Sequence, residues 1–301
     1  MHPTPYPDLN KLLNRLLQNV ATILGPHFVG MYLEGSLAND AFDEASDIDF
    51  IVVTDQDVTE DLFLALQAMH DRIALFDARW GFELEGSYVA QQALRRHVPF
   101  SDLQTGGHQV NAHAHPTYPL HPIYPNIERG QGERLKMAPH DEAWLVHLAI
   151  LRERGITLAG PPPQSLVDPV TPGELRQAML HVLRDWPAPL LQEPERLGVW
   201  GLHTYVVVTL CRMFYTLHYG TVASKATAAR WAQETLDREW QPLIERAWAW
   251  RYHPQPTASA EEVEGTMAFI RYALAYSQDL ARARSTNSHT DASISRAGTA
   301  I

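Results

Sequence analysis

The chain has 301 residues, 45% hydrophobic and 20% charged, a length that suits two ordinary domains better than one. Its 24 Lys and Arg against 35 Asp and Glu leave a formal charge of -11, which argues against a general nucleic-acid binder because phosphate backbones demand a basic surface. A single cysteine, Cys211, excludes an internal disulfide framework and a multi-cysteine zinc site.

The charge is unevenly placed. Residues 1–155 hold 21 acids and 11 bases, a net -10, whereas residues 156–301 hold 14 acids and 13 bases, a net -1. No stretch approaches 18 uninterrupted apolar residues, and Met1-His2-Pro3-Thr4-Pro5 is not a basic segment followed by an apolar one. The expectation is a soluble cytoplasmic protein, acting as a monomer without membrane or nucleic-acid partners.

From the N-terminus, Asp8 is placed to cap a helix whose leucines fall at three-to-four spacing and which Gly25-Pro26 ends. Phe28 to Leu33 reads as a strand, Gly35-Ser36 as a turn, and Asp47 to Thr54 as a second strand with the apolar run Phe50-Ile51-Val52-Val53. A helix over about 59–76 and a third strand over 81–89 follow. Residues 97–140, rich in proline and histidine, read as a long irregular connection.

Beyond it the period is helical, over 141–154, 172–186, 200–219, 224–236 and 241–251. Val206-Val207-Val208 has strand propensity, but its flanks are helical. Ser259 and Glu262 form a capping box for a last helix to about Arg284, and the small polar tail 285–301 is expected to be disordered. The fold class is therefore α+β: a mixed-sheet domain over 1–155, then an all-α bundle over 156–284.

The most informative stretch is Gly35-Ser36, ten intervening residues, then Asp47-Ile48-Asp49 entering a hydrophobic strand. Residues i and i+2 of a strand face the same way, so Asp47 and Asp49 project together while Ile48 points into the core. Two carboxylates held that close repel unless a cation lies between them, and magnesium with a partner phosphate suits their hard oxygens. Gly35 allows close backbone approach to a ligand, and Ser36 begins a helical turn whose N–H groups can meet an anion. The combination describes a metal–nucleoside triphosphate held between turn and strand.

This arrangement resembles the polymerase-beta-like nucleotidyltransferase superfamily. Within it, residues 8–284 resemble the aminoglycoside (streptomycin/spectinomycin 3''-) adenylyltransferase-like family, in which a helical domain follows the nucleotidyltransferase domain. Further resemblance lies in Glu83-Leu84-Glu85, in the join from Leu151 to Pro161, and in Leu210-Cys211-Arg212-Met213-Phe214-Tyr215 followed by Ser224-Lys225 through Ala232. The resemblance implies Asp47 and Asp49 as ligands of two magnesium ions, ATP as co-substrate, and Glu85 as the base that takes the proton from the acceptor hydroxyl. Glu83 shares the strand face of Glu85 and stays open as the alternative. Gly35, Ser36, Arg212 and Lys225 are implied as the triphosphate partners.

The acceptor side departs from the pattern. Leu202 stands where the family has an aspartate, and Ile127 to Glu133 contains no tryptophan. An aminoglycoside is thus one candidate acceptor, beside another small molecule or a protein side chain; a nucleotide-binding regulatory module without transfer is the rival. His108, His113, His115 and His121 read as solvated loop residues or pocket lining before zinc ligands. The tryptophans at helical positions, Trp186 to Trp250, read as interhelix packing.

Overall fold

The computed structural model describes residues 3–77, 79–95, 123–128, 134–140, 143–199, 201–252 and 257–297, with side chains to Leu280. The chain divides into two units, Met1–Leu175 and Arg176–Ile301.

In the first unit, α1 (Pro7–Leu24) opens with proline at its first position and buries Leu9, Leu12, Leu13, Leu16, Val20 and Leu24 along one stripe. Asp8 does not cap it; it lies in the first turn and pairs with Lys11 at 2.9 Å. The strand β1 (Phe28–Leu33) is followed by the single turn α2 (Gly35–Ala38), then β2 (Ile48–Thr54), α3 (Glu60–Phe76) and β3 (Leu84–Ala90). Thr59 caps α3 by accepting the Leu62 N–H. After the short α4 (Gln91–Arg95) come β4 (Ile123–Ile127), β5 (Leu135–Pro139), α5 (Trp144–Arg154), β6 (Ile156–Ala159) and α6 (Pro163–Leu166).

The six strands form one sheet in the order β5-β4-β3-β2-β1-β6. Among the described strands only β2 and β3 are parallel, joined through α3; the other neighbouring pairs are antiparallel. Strand alternation divides the core. Met31, Leu33, Phe50, Val52 and Tyr88 pack toward the leucines of α1 and the buried face of α3, while Tyr32, Ile51, Val53 and Val89 pack with Leu94, Trp144, Leu148, Leu151 and Leu166. Asp49, Glu85 and Ser87 share the second face.

Two features depart from the sequence expectation. The stretch 97–140 is not irregular throughout, because 123–127 and 135–139 pair as β4 and β5. Pro125 and Pro139 hide these strands, since a proline donates no ladder hydrogen bond; β4 accordingly pairs with β3 only at Gly86↔Ile127 and Ser87↔Asn126. The sheet also extends beyond residue 155. Ile156–Ala159 adds to the edge of β1, so the first unit reaches Leu175, past the boundary expected at 155/156.

The helix α7 (Pro172–Asp185) begins on a reciprocal Thr171–Glu174 capping box at the end of the first unit. The second unit is built from α8 (Leu202–Tyr219), α9 (Lys225–Thr235), α10 (Gln241–Trp250) and α11 (Ala260–Ala297). Val206, Val207 and Val208 are helical and buried in α8, as their flanks require. Gly220, at φ 70°, ends that helix in the left-handed region. Ser259 and Glu262 make the expected capping box, and α11 continues to Ala297, beyond the end expected at Arg284, with no glycine or proline between 266 and 297 to stop it. The tryptophans pack between helices: Trp240 lies 5.1 Å from Phe269, Trp231 5.6 Å from Tyr215, and Trp250 5.4 Å from His203. Among the described residues, no helix is long and apolar enough to cross a membrane.

One residue that the sequence did not single out holds the start of β3. Arg134 is 3% exposed and donates to three backbone carbonyls, those of Glu128, Gly81 and Leu84, each at 2.7 Å. Replacing it removes one donor group from three carbonyls at once. Arg134→Met is expected to destabilise the fold by about 3 kcal/mol, read as a lower denaturation midpoint with an unchanged slope.

Candidate active site

The turn after β1 is built around Gly35, whose φ of 57° lies in the left-handed region and whose Cα packs against the Asp49 carboxylate. A Cβ at this position would overlap that carboxylate, so both the backbone angle and the close approach require glycine. The Gly35 carbonyl accepts from Asn39 Nδ2 at 2.6 Å, and Arg154 Nη1 in turn donates to Asn39 Oδ1 at 2.5 Å. The Glu34 N–H donates to the Asp49 carbonyl at 3.1 Å, which ties the turn to β2. Ser36 Oγ is buried with no hydrogen-bond partner among the described residues.

The carboxylates are brought together by strand register. In the parallel β2–β3 ladder Asp49 lies opposite Glu85, and both point to the same face. Asp47 comes from the turn just before β2, in which Ser46 Oγ donates to Asp43 Oδ1 at 2.9 Å and the Ala45 N–H donates to the same oxygen at 3.1 Å. Asp47, Asp49 and Glu85 each offer an oxygen, and these oxygens lie within 4.8 Å of one another. Three hard oxygens at that spacing, beside a dry serine hydroxyl, suit a magnesium ion with a phosphate partner.

Glu83 lies elsewhere. It precedes β3, its carbonyl accepts the Ile48 N–H at 2.8 Å, and its charge is felt by Arg134. Of the two glutamates, Glu85 is the one in the carboxylate group.

The crowding has an electrostatic cost. Burial pushes the Asp49 carboxyl up to about 8, reinforced by the charges of Asp47, Glu34 and Glu85, while His147 acts in the opposite direction. Glu34 and His147 were not singled out from the sequence. Glu34 is 3% exposed, and its Oε1 lies 2.9 Å from His147 Nδ1, on α5. A buried carboxylate next to a Gly-Ser turn is legible only once the helix carrying its partner has been placed in space.

His147 is also the end of a stack of rings. Its centroid is 5.4 Å from that of Trp144, Trp144 is 3.7 Å from His140, and His140 is 4.7 Å from Tyr124, with interplanar angles of 25°, 16° and 18°. His140 Nε2 lies 3.0 Å from Ser87 Oγ, two residues along β3 from Glu85, and Ser87 Oγ also bonds Asn126 Oδ1. The stack therefore runs along the same sheet face as the carboxylates.

Arg212 and Lys225 lie in the second unit. Arg212 is half-buried on α8, and Lys225 is the first residue of α9, after Ser224, whose Oγ accepts the Thr227 N–H at 3.1 Å. Leu202 opens α8. His108, His113, His115 and His121 lie outside the described residues, as does the stretch 129–133.

Comparison with known proteins bears on the two domains. A family model described as a nucleotidyltransferase domain matches residues 10–122, so the first unit carries a domain of that class. A second, described as the C-terminal domain of aminoglycoside adenylyltransferase, matches residues 165–276. The chain thus carries, in this order, a region matching the nucleotidyltransferase domain and a region matching the C-terminal domain of aminoglycoside adenylyltransferase.

An aminoglycoside (3'') (9) adenylyltransferase of Klebsiella pneumoniae is 34% identical over 132 residues, which cover 42% of this chain and 47% of that protein, so the match spans about half of the relative's length. A spectinomycin 9-adenylyltransferase of Staphylococcus aureus is 26% identical over 249 residues, covering 79% and 84%. The crystal structure of spectinomycin adenyltransferase AAD(9) from Enterococcus faecialis, with ATP and spectinomycin, has the same fold: the TM-score is 0.63 at 16% identity, covering 88% of this chain and 98% of that one.

The raised Asp49 carboxyl gives the metal-free protein a defined pH response. The folded group keeps its proton up to about 8, whereas in the unfolded chain it ionises near its ordinary value, about 3.9. The stability this contributes is fully present below the unfolded value and is lost as pH rises through the folded one. Without metal, the melting temperature is expected to fall between pH 4 and pH 8 more steeply than in Asp49→Asn. Magnesium added at pH 7 is expected to displace about one proton per chain, read by calorimetry in buffers of different ionisation enthalpy.

Proposed function

We propose that this protein transfers AMP from magnesium-ATP to a hydroxyl of a small cationic acceptor of the aminoglycoside or aminocyclitol class, releasing pyrophosphate. The observation that carries the reading is the meeting of Asp47, Asp49 and Glu85 beside the Gly35-Ser36 turn, within a chain that has the family's two domains in order. The relatives named above, adenylyltransferases of aminoglycosides and spectinomycin, support the acceptor class.

Asp47 and Asp49 would hold the metal, with Glu85 beside them. When bound, magnesium offsets charge on the triphosphate and on the departing pyrophosphate. Gly35 gives the triphosphate access to the backbone of the turn, and the Ser36 hydroxyl donates to a phosphate oxygen. From the family resemblance, Arg212 and Lys225 are taken as further triphosphate partners: a guanidinium binds two oxygens at once and an ammonium acts as a point charge. Glu85 takes the proton of the acceptor hydroxyl as its oxygen forms a bond to the α-phosphorus. The bond from that phosphorus to the pyrophosphate oxygen breaks in line with the attack, leaving an AMP ester. The acidic surface of residues 1–155 favours approach of a cationic acceptor. The protein is read as a cytoplasmic monomer.

The test is to mix the purified protein with magnesium, ATP and, separately, streptomycin, spectinomycin and other aminoglycosides, following pyrophosphate release and the acceptor mass. An AMP adduct on one of them is expected; pyrophosphate without any antibiotic adduct would move the acceptor to another class. Glu85→Gln is expected to lower kcat by a factor on the order of a thousand with the KM for ATP little changed. Full transfer by that variant would displace Glu85 as the base. Asp47→Asn is expected to abolish the magnesium dependence of ATP binding, measured by thermal shift with and without the metal.

A further inference from the structure

Glu34 is an unusual residue to find at the end of a buried strand. Gly30 to Leu33 of β1 are buried and apolar apart from the Tyr32 hydroxyl, and the next side chain is a carboxylate 3% exposed to solvent. Burying a carboxylate costs several kcal/mol unless its oxygens are matched by donors or a cation. One oxygen is matched, since Oε1 lies 2.9 Å from His147 Nδ1. The other, Oε2, is buried and has no hydrogen-bond partner among the described residues.

A carboxylate serving only the fold would have both oxygens satisfied by protein groups. Glu34 instead has one tied oxygen and one dry oxygen, and it adjoins the metal-binding carboxylates: its N–H bonds the Asp49 carbonyl, and its charge acts on the Asp49 side chain. It is not part of the group whose oxygens converge within 4.8 Å, which comprises Asp47, Asp49 and Glu85. Glu34 therefore stands outside the direct ligands but next to them.

Magnesium and manganese keep several waters when bound by a few carboxylates, and those waters need acceptors. Carboxylates just outside the ligand set commonly fill that need, and their loss costs tenfold to a hundredfold in metal affinity.

We propose that Glu34 is a positioning residue of the metal site, held by His147 through Oε1 so that Oε2 accepts a hydrogen bond from a water on the cation held by Asp47 and Asp49 beside Glu85. The inference rests on the metal site of the proposed function. His147 is suited to the holding role because Trp144 stacks on its ring and fixes the plane in which Nδ1 meets Glu34. The arrangement also explains why a fourth acid is tolerated beside three others: its charge is divided between an imidazole on one oxygen and the hydrated cation on the other.

The experiment is a titration of the full chain with manganese in the absence of nucleotide, free metal being counted by electron paramagnetic resonance, alongside the melting temperature without metal. Glu34→Gln is expected to weaken manganese binding about tenfold, with the metal-free melting temperature unchanged or raised because one like charge is gone. His147→Gln is expected to weaken binding less, since Glu34 remains. Glu34→Asp, which keeps the charge but withdraws the oxygen, is expected to weaken binding as Glu34→Gln does and serves if the amide variant does not fold. Manganese affinity of Glu34→Gln within twofold of the parent overturns the proposal. So does a loss of affinity matched by a lower metal-free melting temperature, which marks Glu34 as a structural residue. If the parent itself binds no manganese, with or without ATP, the metal site of the proposed function fails and this inference with it.

Discussion

Mutual repulsion among carboxylates is the constraint around which the first unit is organised. The parallel register of β2 and β3 sets Asp49 opposite Glu85, the Asp43–Ser46 turn delivers Asp47, and the end of β1 adds Glu34. Left alone, these groups oppose the fold, and the raised Asp49 carboxyl reports that opposition. Several neighbouring contacts hold the geometry against it: the Asn39 and Arg154 bonds behind Gly35, the three carbonyl bonds of Arg134 at the start of β3, and the imidazole of His147. Strain concentrated at a site and offset in its surroundings is the usual signature of function.

The uneven charge of the chain takes on meaning in this setting. Between residues 40 and 61 there are nine acids and no Lys or Arg, and the two aspartates of the carboxylate group are among them. Such a stretch is tolerable because six of its nine acids are exposed, in loops or in the first turn of α3, while Asp49 alone is carried into a strand. The second unit is close to neutral and built on apolar helix faces with ordinary caps, and it carries Arg212 and Lys225, the two cations proposed for the phosphates.

Local chemistry decided what could be read beforehand. Gly35, Ser36, Asp47 and Asp49 were legible because a strand's two-residue period and the demands of a tight turn act over a few positions. The helices of the second unit were legible from their period and from the Ser259–Glu262 box, and Arg212 and Lys225 only from resemblance. Glu85 could not be separated from Glu83 by spacing, because the choice depends on where β3 begins. The strands β4 and β5 were obscured by Pro125 and Pro139, and β6 by its shortness. Glu34, His147 and Arg134 act through partners distant in the chain, 113 residues away for the first pair, and no local pattern announces such contacts.

The single parallel pair in the sheet has a further bearing, on folding kinetics. Antiparallel neighbours can zip from a turn, but β2 and β3 meet only after the crossover through α3 has closed. Loop-closure entropy and carboxylate repulsion are thus incurred in one step, when Asp49 and Glu85 come into register. The acids that equip the site for chemistry therefore also tax the docking of the third strand, and cations or protons that relieve their repulsion act on the assembly of this fold as well as on its finished form.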